Sequence, residues 1–248
     1  MAGTLTAISP KDFVERLMDG ERDFSSTRLT GALHDEVGYA GLVTYLKEQD
    51  LRAEKLIAAG SDWSGLKARG LFVPFSKLAG INLSGADLRG ADFRRTDFTG
   101  ANLEGADLSG ATMIGCRFQE ASLAGATLRA TDFYEASLAG AKLPGADLTR
   151  AFLLRLALKE ADLSGAVLTG AIMYRADLRG VVGLDTVIDL GTVTFHQTIV
   201  TAVEQAIIDA AVGEMPLFDV RSEVTSVTMS ERSSGRPSPA EEGGRDGR

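Results

Sequence analysis

The side chains able to do covalent or metal chemistry are few. The chain has two histidines, His34 and His196, and one cysteine, Cys116. The histidines stand far apart, each in a segment that reads as helix or connection, so neither a histidine-built metal site nor a Ser-His-Asp relay has residues to form it. A single cysteine allows no intramolecular disulfide, and the inward place of Cys116 makes it a small core residue rather than a reactive thiol. The glycines lack the GxxxxGK[ST] order of a phosphate loop and follow a regular period instead. Asp87, Asp107 and Asp147 share a column that could hold a cation, but Arg89 and Arg129 beside them point to a charge-balanced surface. No catalytic residue, cofactor or metal ligand is assigned, and enzymatic activity is not expected.

What organises these residues is a repeat. From Leu78 to Leu178 a Leu, Phe or Met recurs at every fifth position, almost always two residues after a small one: INLSG ADLRG ADFRR TDFTG ANLEG ADLSG and onward to ADLRG. In a helix each repeat would swing the apolar position by ~140°, and in a strand an odd period throws it to alternate faces. The chain must therefore turn once per repeat. Gly85, Gly90, Gly100, Gly105 and Gly110 in the fifth place supply a tight bend after a short extended piece, which describes a solenoid of small units.

The pattern A-(D/N)-(L/F)-x-G resembles that of the pentapeptide-repeat proteins over about twenty consecutive quintets. The resemblance implies an all-β solenoid, a right-handed quadrilateral β-helix with four quintets per coil, in which the central Leu/Phe and the small residue two before it point inward. Small α-helical additions at the N- and C-terminal ends complete the expected fold. Thr96, Cys116 and Thr131 replace Ala at inward positions and are compact enough to fit. Leu156 is not, and is expected to force a bulge that makes AFLLRLALKE the least regular coil.

Outside the array, Ser9-Pro10 before KDFVERLMDG reads as a capped helix from about Lys11 to Asp19. Arg22–Ser26 and Thr27–Gly31 read as two quintets out of phase with the array, since Leu29 and Leu78 lie 49 residues apart. A helical excursion over 36–59, carrying Leu42, Leu46, Leu51, Leu56 and Ile57, is expected to interrupt that first coil. The phase extends backward through SDWSG LKARG LFVPF SKLAG, with Ala68 and Val73 at centres and Trp63 closing the N-terminal end. After Leu178 the repeat dissolves, and a helix over 195–212 with the stripe Ile199, Val203, Ile207 and Ala210 should cover the open end. The resulting division is 1–75 for the N-terminal helix, quintets and insertion, 76–180 for the β-helix, 181–220 for the capping segment, and 221–248 for a tail rich in Ser, Gly, Glu, Arg and Pro, expected to be disordered.

Residues 76–180 carry 12 Lys/Arg and 12 Asp/Glu, whereas 181–248 carry 5 and 11, so the net charge of −8 arises chiefly outside the array. No basic, apolar leader opens the sequence and no run approaches the ~18 apolar residues of a membrane span, so a cytoplasmic location is the expectation. Two functions remain: a rigid, non-catalytic platform for protein–protein interaction, or, by resemblance to the gyrase-protecting branch of the family, an imitation of duplex DNA that shields a topoisomerase. DNA carries a charge about every ~1.7 Å of axis, which a neutral solenoid does not imitate, so the platform is favoured.

Folding the sequence twenty residues per coil stacks Arg94, Ile114, Tyr134, Leu154 and Tyr174 in one row after the centre. Phe152 and Ile172 stand beside it, and Arg95, Arg155 and Arg175 at the neighbouring corner. Mixed Tyr and Arg on exposed apolar surface mark a contact. Its occupant is a foreign protein, a second copy in a homodimer, or the chain's own insertion of residues 36–59. Direct contact with nucleic acid or membrane is not expected.

Overall fold

One quintet sets the whole architecture. In ANLEG, the inward Ala101 and Leu103 are buried, Asn102 lies half-exposed between them, and Glu104 and Gly105 form an exposed turn. The amide of Ser122 donates to the carbonyl of Ala101 at 2.9 Å, that of Leu103 to Ser122 at 2.7 Å and that of Gly105 to Ala124 at 2.9 Å, while Ala106 closes the turn onto Leu103 at 3.1 Å. Most backbone groups of the quintet thus find a partner one coil away and others close turns within their own coil, the pairing that a closely packed chain requires. The fifth residue is left-handed, with φ of 62° at Gly105, a conformation that glycine enters without a Cβ penalty.

The computed structural model describes residues 4–33, 36, 38–48, 55–212 and 221–222. Four parallel ladders run its length, such as Asn82–Asn102–Ser122–Lys142–Asp162–Val182, each step twenty residues. Four sides per coil and a twenty-residue period follow directly. The centres form one continuous core in which Phe98 stacks on Phe118 at 5.0 Å and 7° between planes, with Phe93 and Phe133 edge-on at either side. Burying one such Leu or Phe stabilises the fold by about 1.5–3 kcal/mol.

The coil extends beyond residues 76–180 at both ends. Asp23, Arg28 and Ala32 pair with Ile57, Asp62 and Lys67, so a first coil supplies three sides before the chain leaves it. Strand β1 (Thr6–Ile8) pairs above β2 (Thr27–Leu29), and between them runs α1 (Pro10–Met18), whose Ser9 and Asp12 form a reciprocal capping box. Helix α2 (Tyr39–Glu48) buries Tyr39, Leu42 and Leu46, and its Lys47 lies over the Phe72 ring. The helix expected over 36–59 therefore does not reach residue 59. Leu51 lies outside the described residues, and Ile57 belongs to a ladder because its amide and carbonyl serve Arg22 and Phe24. Trp63 closes the N-terminal end, edge-on to Phe13 at 5.2 Å, its indole N–H donating to the Thr27 hydroxyl at 3.0 Å.

Leu156 forces no bulge, a correction to the expectation. The ladder Ser137–Ala157–Asp177 runs through its coil unbroken and Leu156 is 1% exposed. Its column neighbours are Ala136 and Ala176, whose small side chains leave room above and below.

The repeat does not dissolve after Leu178 either. β3 (Ile172–Tyr174) pairs with β4 (Thr194–His196), and Asp177 with Ile199 of β5 (Ile199–Val200), completing one more coil. That coil is longer: twenty residues separate Asp162 from Val182, twenty-one Val167 from Ile188, and twenty-two Ile172 from Thr194. The extra residues sit in 3-10 turns at Leu184–Thr186 and Leu190–Thr192. Helix α3 (Ala202–Val212) begins only after this coil, not at 195, and the expected stripe meets the core only in part: Ile207 packs against it half-buried, Val203 is 68% exposed, and the buried residues of the helix are Glu204 and Ile208. Beyond it, β6 (Arg221–Ser222) pairs with β5. His34 and the expected tail, apart from residues 221–222, lie outside the described residues.

Candidate functional site

Position two of the quintet explains the acidic residues first singled out. The carboxylate of Asp107 accepts from the backbone amide of Ser109 at 3.0 Å and from its hydroxyl at 2.6 Å, and Asp92, Asp97, Asp132, Asp147, Asp162 and Asp177 accept from the amide two residues on. These are side-chain turns that fold each corner. The column Asp87, Asp107 and Asp147 is cross-linked outward by arginine: Arg69 and Arg89 each reach Asp87 at 2.7 Å, and Arg129 reaches Asp147 at 2.5 Å. Among the described residues no cluster of His, Cys, Asp and Glu is arranged to hold a metal ion.

Cys116 sits inside, its thiol 2.9 Å from the carbonyl of Phe93, and burial pushes its pKa up to about 12. The thiol is therefore protonated near neutrality, and thiolate chemistry is suppressed. Ser76, Thr96 and Thr198 in the same column also donate to inward carbonyls, at 2.7, 3.2 and 3.3 Å. Compact donors at this corner satisfy carbonyls that Ala would leave to the backbone alone.

The row read from the sequence is a physical column. Carbonyls of Ile114, Tyr134, Leu154 and Tyr174 accept from the amides of Arg95, Gly115, Glu135 and Arg155 at 2.7–3.0 Å, which fixes the row one coil per step. Ile114, Tyr134, Leu154 and Tyr174 are half-buried, Arg94 is exposed, and Phe152 and Ile172, stacked in the adjoining ladder, are 43% and 38% exposed. The column runs on to His196, whose ring stacks on Tyr174 at 5.0 Å and 19°. Sequence spacing missed His196 because it follows Tyr174 by twenty-two residues rather than twenty. Toward the other end the face reaches Phe72, which lies beneath both Lys47 and Arg94.

At the corner beside the row, residues other than glycine hold the left-handed conformation: Phe75, Arg95, Glu135, Arg155 and Arg175 have φ between 54° and 60°. An L-residue there costs roughly 1–2 kcal/mol, so this corner carries side chains at a conformational penalty that Gly115, within the same column, avoids. Those side chains cover the rings: Arg155 lies over Tyr134 at 5.8 Å and Arg175 over Tyr174 at 5.1 Å. Arg155 also pairs with Glu135 at 2.8 Å, which holds that carboxyl below its usual range, and Arg94 pairs with Asp92 at 2.8 Å. The face joins aromatic and aliphatic surface to oriented guanidinium groups, an arrangement suited to recognition rather than bond making.

A sequence model described as pentapeptide repeats (8 copies) matches residues 76–115, 113–150 and 157–182. Solved structures similar to this chain include a pentapeptide repeat protein (Rfr23) from the cyanobacterium Cyanothece 51142, 23% identical over 47% of this chain and 88% of that one, with a TM-score of 0.40. A trypsin-treated form of QnrB1, a plasmid-mediated fluoroquinolone resistance protein, is 20% identical over 58% of this chain and 74% of its own, with a TM-score of 0.34. A pentapeptide repeat protein from the Arabidopsis thaliana thylakoid lumen is 30% identical over 46% of this chain and 65% of its own, with a TM-score of 0.18. No curated protein matches the chain. Residues 76–150 and 157–182 thus carry pentapeptide repeats, each quintet folding as one side of a four-sided coil.

Proposed function

We propose that this chain is a non-catalytic platform, a right-handed solenoid that binds another protein through the face bearing Tyr134, Leu154 and Tyr174. One observation carries the reading: Phe152 and Ile172 stay exposed beside half-buried tyrosines capped by Arg155 and Arg175, whereas the equivalent ladder positions elsewhere are mostly Asp, Asn, Ser, Thr or Lys. Apolar area at an otherwise polar place lowers solubility unless a partner covers it.

The double substitution Tyr134→Glu and Leu154→Glu tests it. The circular dichroism spectrum and melting temperature should stay close to those of the parent, while self-association or capture of a partner is lost. If stability, self-association and capture are all unchanged, the face is ordinary surface.

Imitation of duplex DNA toward a topoisomerase is the second reading, and charge weighs against it, because residues 76–180 hold equal numbers of acidic and basic side chains. Added to a gyrase supercoiling assay, the purified chain is expected to give neither inhibition nor protection. A clear response that weakens with salt would reverse the order of the two readings.

A further inference from the structure

We propose that the Tyr/Arg face receives an amphipathic α-helix of a partner protein, with acidic residues at both ends of its contact surface. The proposal rests on the platform reading above and adds the form and charge of the occupant.

The backbone decides the form. Along this face the amides of Arg95, Gly115, Glu135, Arg155 and Arg175 donate to the coil that follows, and those of Phe152 and Ile172 donate to the coil before, at 2.7–3.1 Å. An extended peptide laid on the side of the solenoid finds no strand edge to pair with, so it gains none of the main-chain bonds that make strand addition favourable. A helix brings its own backbone bonds and needs only side-chain contact. Two outward columns, one through Thr112, Asp132, Phe152 and Ile172 and one through Ile114, Tyr134, Leu154 and Tyr174, flank a line of inward centres. Their coil spacing of ~4.8 Å is close to the ~5.4 Å pitch of a helix. Apolar side chains one turn apart can therefore seat between successive coils.

The charges decide the ends. Asp92 is paired with Arg94, and Glu135 with Arg155. Arg95 and Arg175 make no ion pair among the described residues, Arg175 binding the neutral Gln197 side chain at 2.6 Å. Both are exposed and stand at the same corner four coils apart, about 19 Å, the length of roughly 13 helical residues. Two carboxylates that far apart, with apolar residues at i, i+4 and i+7 between them, complement the face.

A displayed library of randomised peptides of about 18 residues, panned on the full chain, is the test. Enriched peptides should become helical on binding and carry Asp or Glu about 12–14 residues apart around an apolar stripe. Arg95→Glu with Arg175→Glu should weaken them by at least about tenfold, with the paired glutamine substitutions giving a smaller loss if the glutamates disturb folding. Enrichment of basic or proline-rich extended peptides, no enrichment, or indifference to the arginine variants overturns the helix proposal. A dimer in sedimentation that Tyr134→Glu with Leu154→Glu abolishes also overturns it, yet leaves the platform reading standing. Only indifference of both self-association and binding to that double variant removes the platform reading as well.

Discussion

The aspartates at position two act on their own chain. Asp162 accepts from the hydroxyl and amide of Ser164, and those bonds hold its carboxyl below its usual range; Asp23 is held down in the same way by the amide and hydroxyl of Ser25. For Asp97 and Asp147 burial pulls upward, but hydrogen bonds, with Arg117 and Thr99 in one case and Thr149 and Arg129 in the other, prevail and the net direction is down. A carboxyl with a lower pKa in the folded than in the unfolded chain contributes stability that is complete above its unfolded pKa and disappears as pH falls through the folded value. Denaturant midpoints should therefore be flat from neutrality to about pH 5 and fall progressively below about pH 4, where unfolded aspartates begin to bind protons. A midpoint that rises on acidification would show that these turns do not favour the charged form.

At the scale of the element, Glu204 ties a helix to the solenoid. The carboxylate lies at the third position of α3, where it accepts from the amide and hydroxyl of Thr201, and its other oxygen accepts from the amide of Gly180 at 3.0 Å. One buried side chain thus caps a helix and closes the end of a coil; burial raises its pKa, but these bonds outweigh it and the net direction is down. Glu204→Ala should cost about 1–3 kcal/mol by removing the charged acceptor of the part-buried amides of Gly180 and Thr201, and amide exchange should accelerate first in α3 and around Gly180. Unchanged exchange there would mean that apolar packing of Ile208 holds the helix unaided. This element also marks the boundary of what the sequence discloses. The quintets are legible because each carries its own small residue, centre and turn, and the interaction row follows by counting twenty. The start of α3 is not, because apolar periodicity seeks an apolar stripe and the anchoring residue is a carboxylate. Ile57 misleads for a related reason: a short apolar run fits helix or ladder equally, and only its partners across the first coil decide.

Across the whole molecule, contacts join each coil to its neighbours, so stability is expected to behave as a sum of coil and interface contributions. Leu128→Ala removes a fully buried centre in the middle of the array and should cost about 2–5 kcal/mol. Leu184→Ala, in the lengthened final coil, should cost less in global unfolding because that coil can fray on its own, and native-state exchange would separate the two. Equal losses, with both transitions global, would show that the solenoid unfolds as a single unit.

The lengthening of the final coil also sets a limit on assembly. A stack of identical coils is a template, and another molecule could lay its first coil on the last one in register. Here the perimeter grows by one residue at each of two corners between Val182 and Thr194, and there the amides of Gly165 and Gly170 donate to the hydroxyls of Thr186 and Thr192, both at 2.9 Å, in place of the backbone carbonyls used elsewhere. At the opposite end α1, with Phe13 against Phe24 and Trp63, occupies the approach. The chain therefore closes its own end: beyond the lengthened coil β6 takes up the edge of β5 and α3 packs on the two 3-10 turns, and a periodic sequence is kept from becoming a fibre.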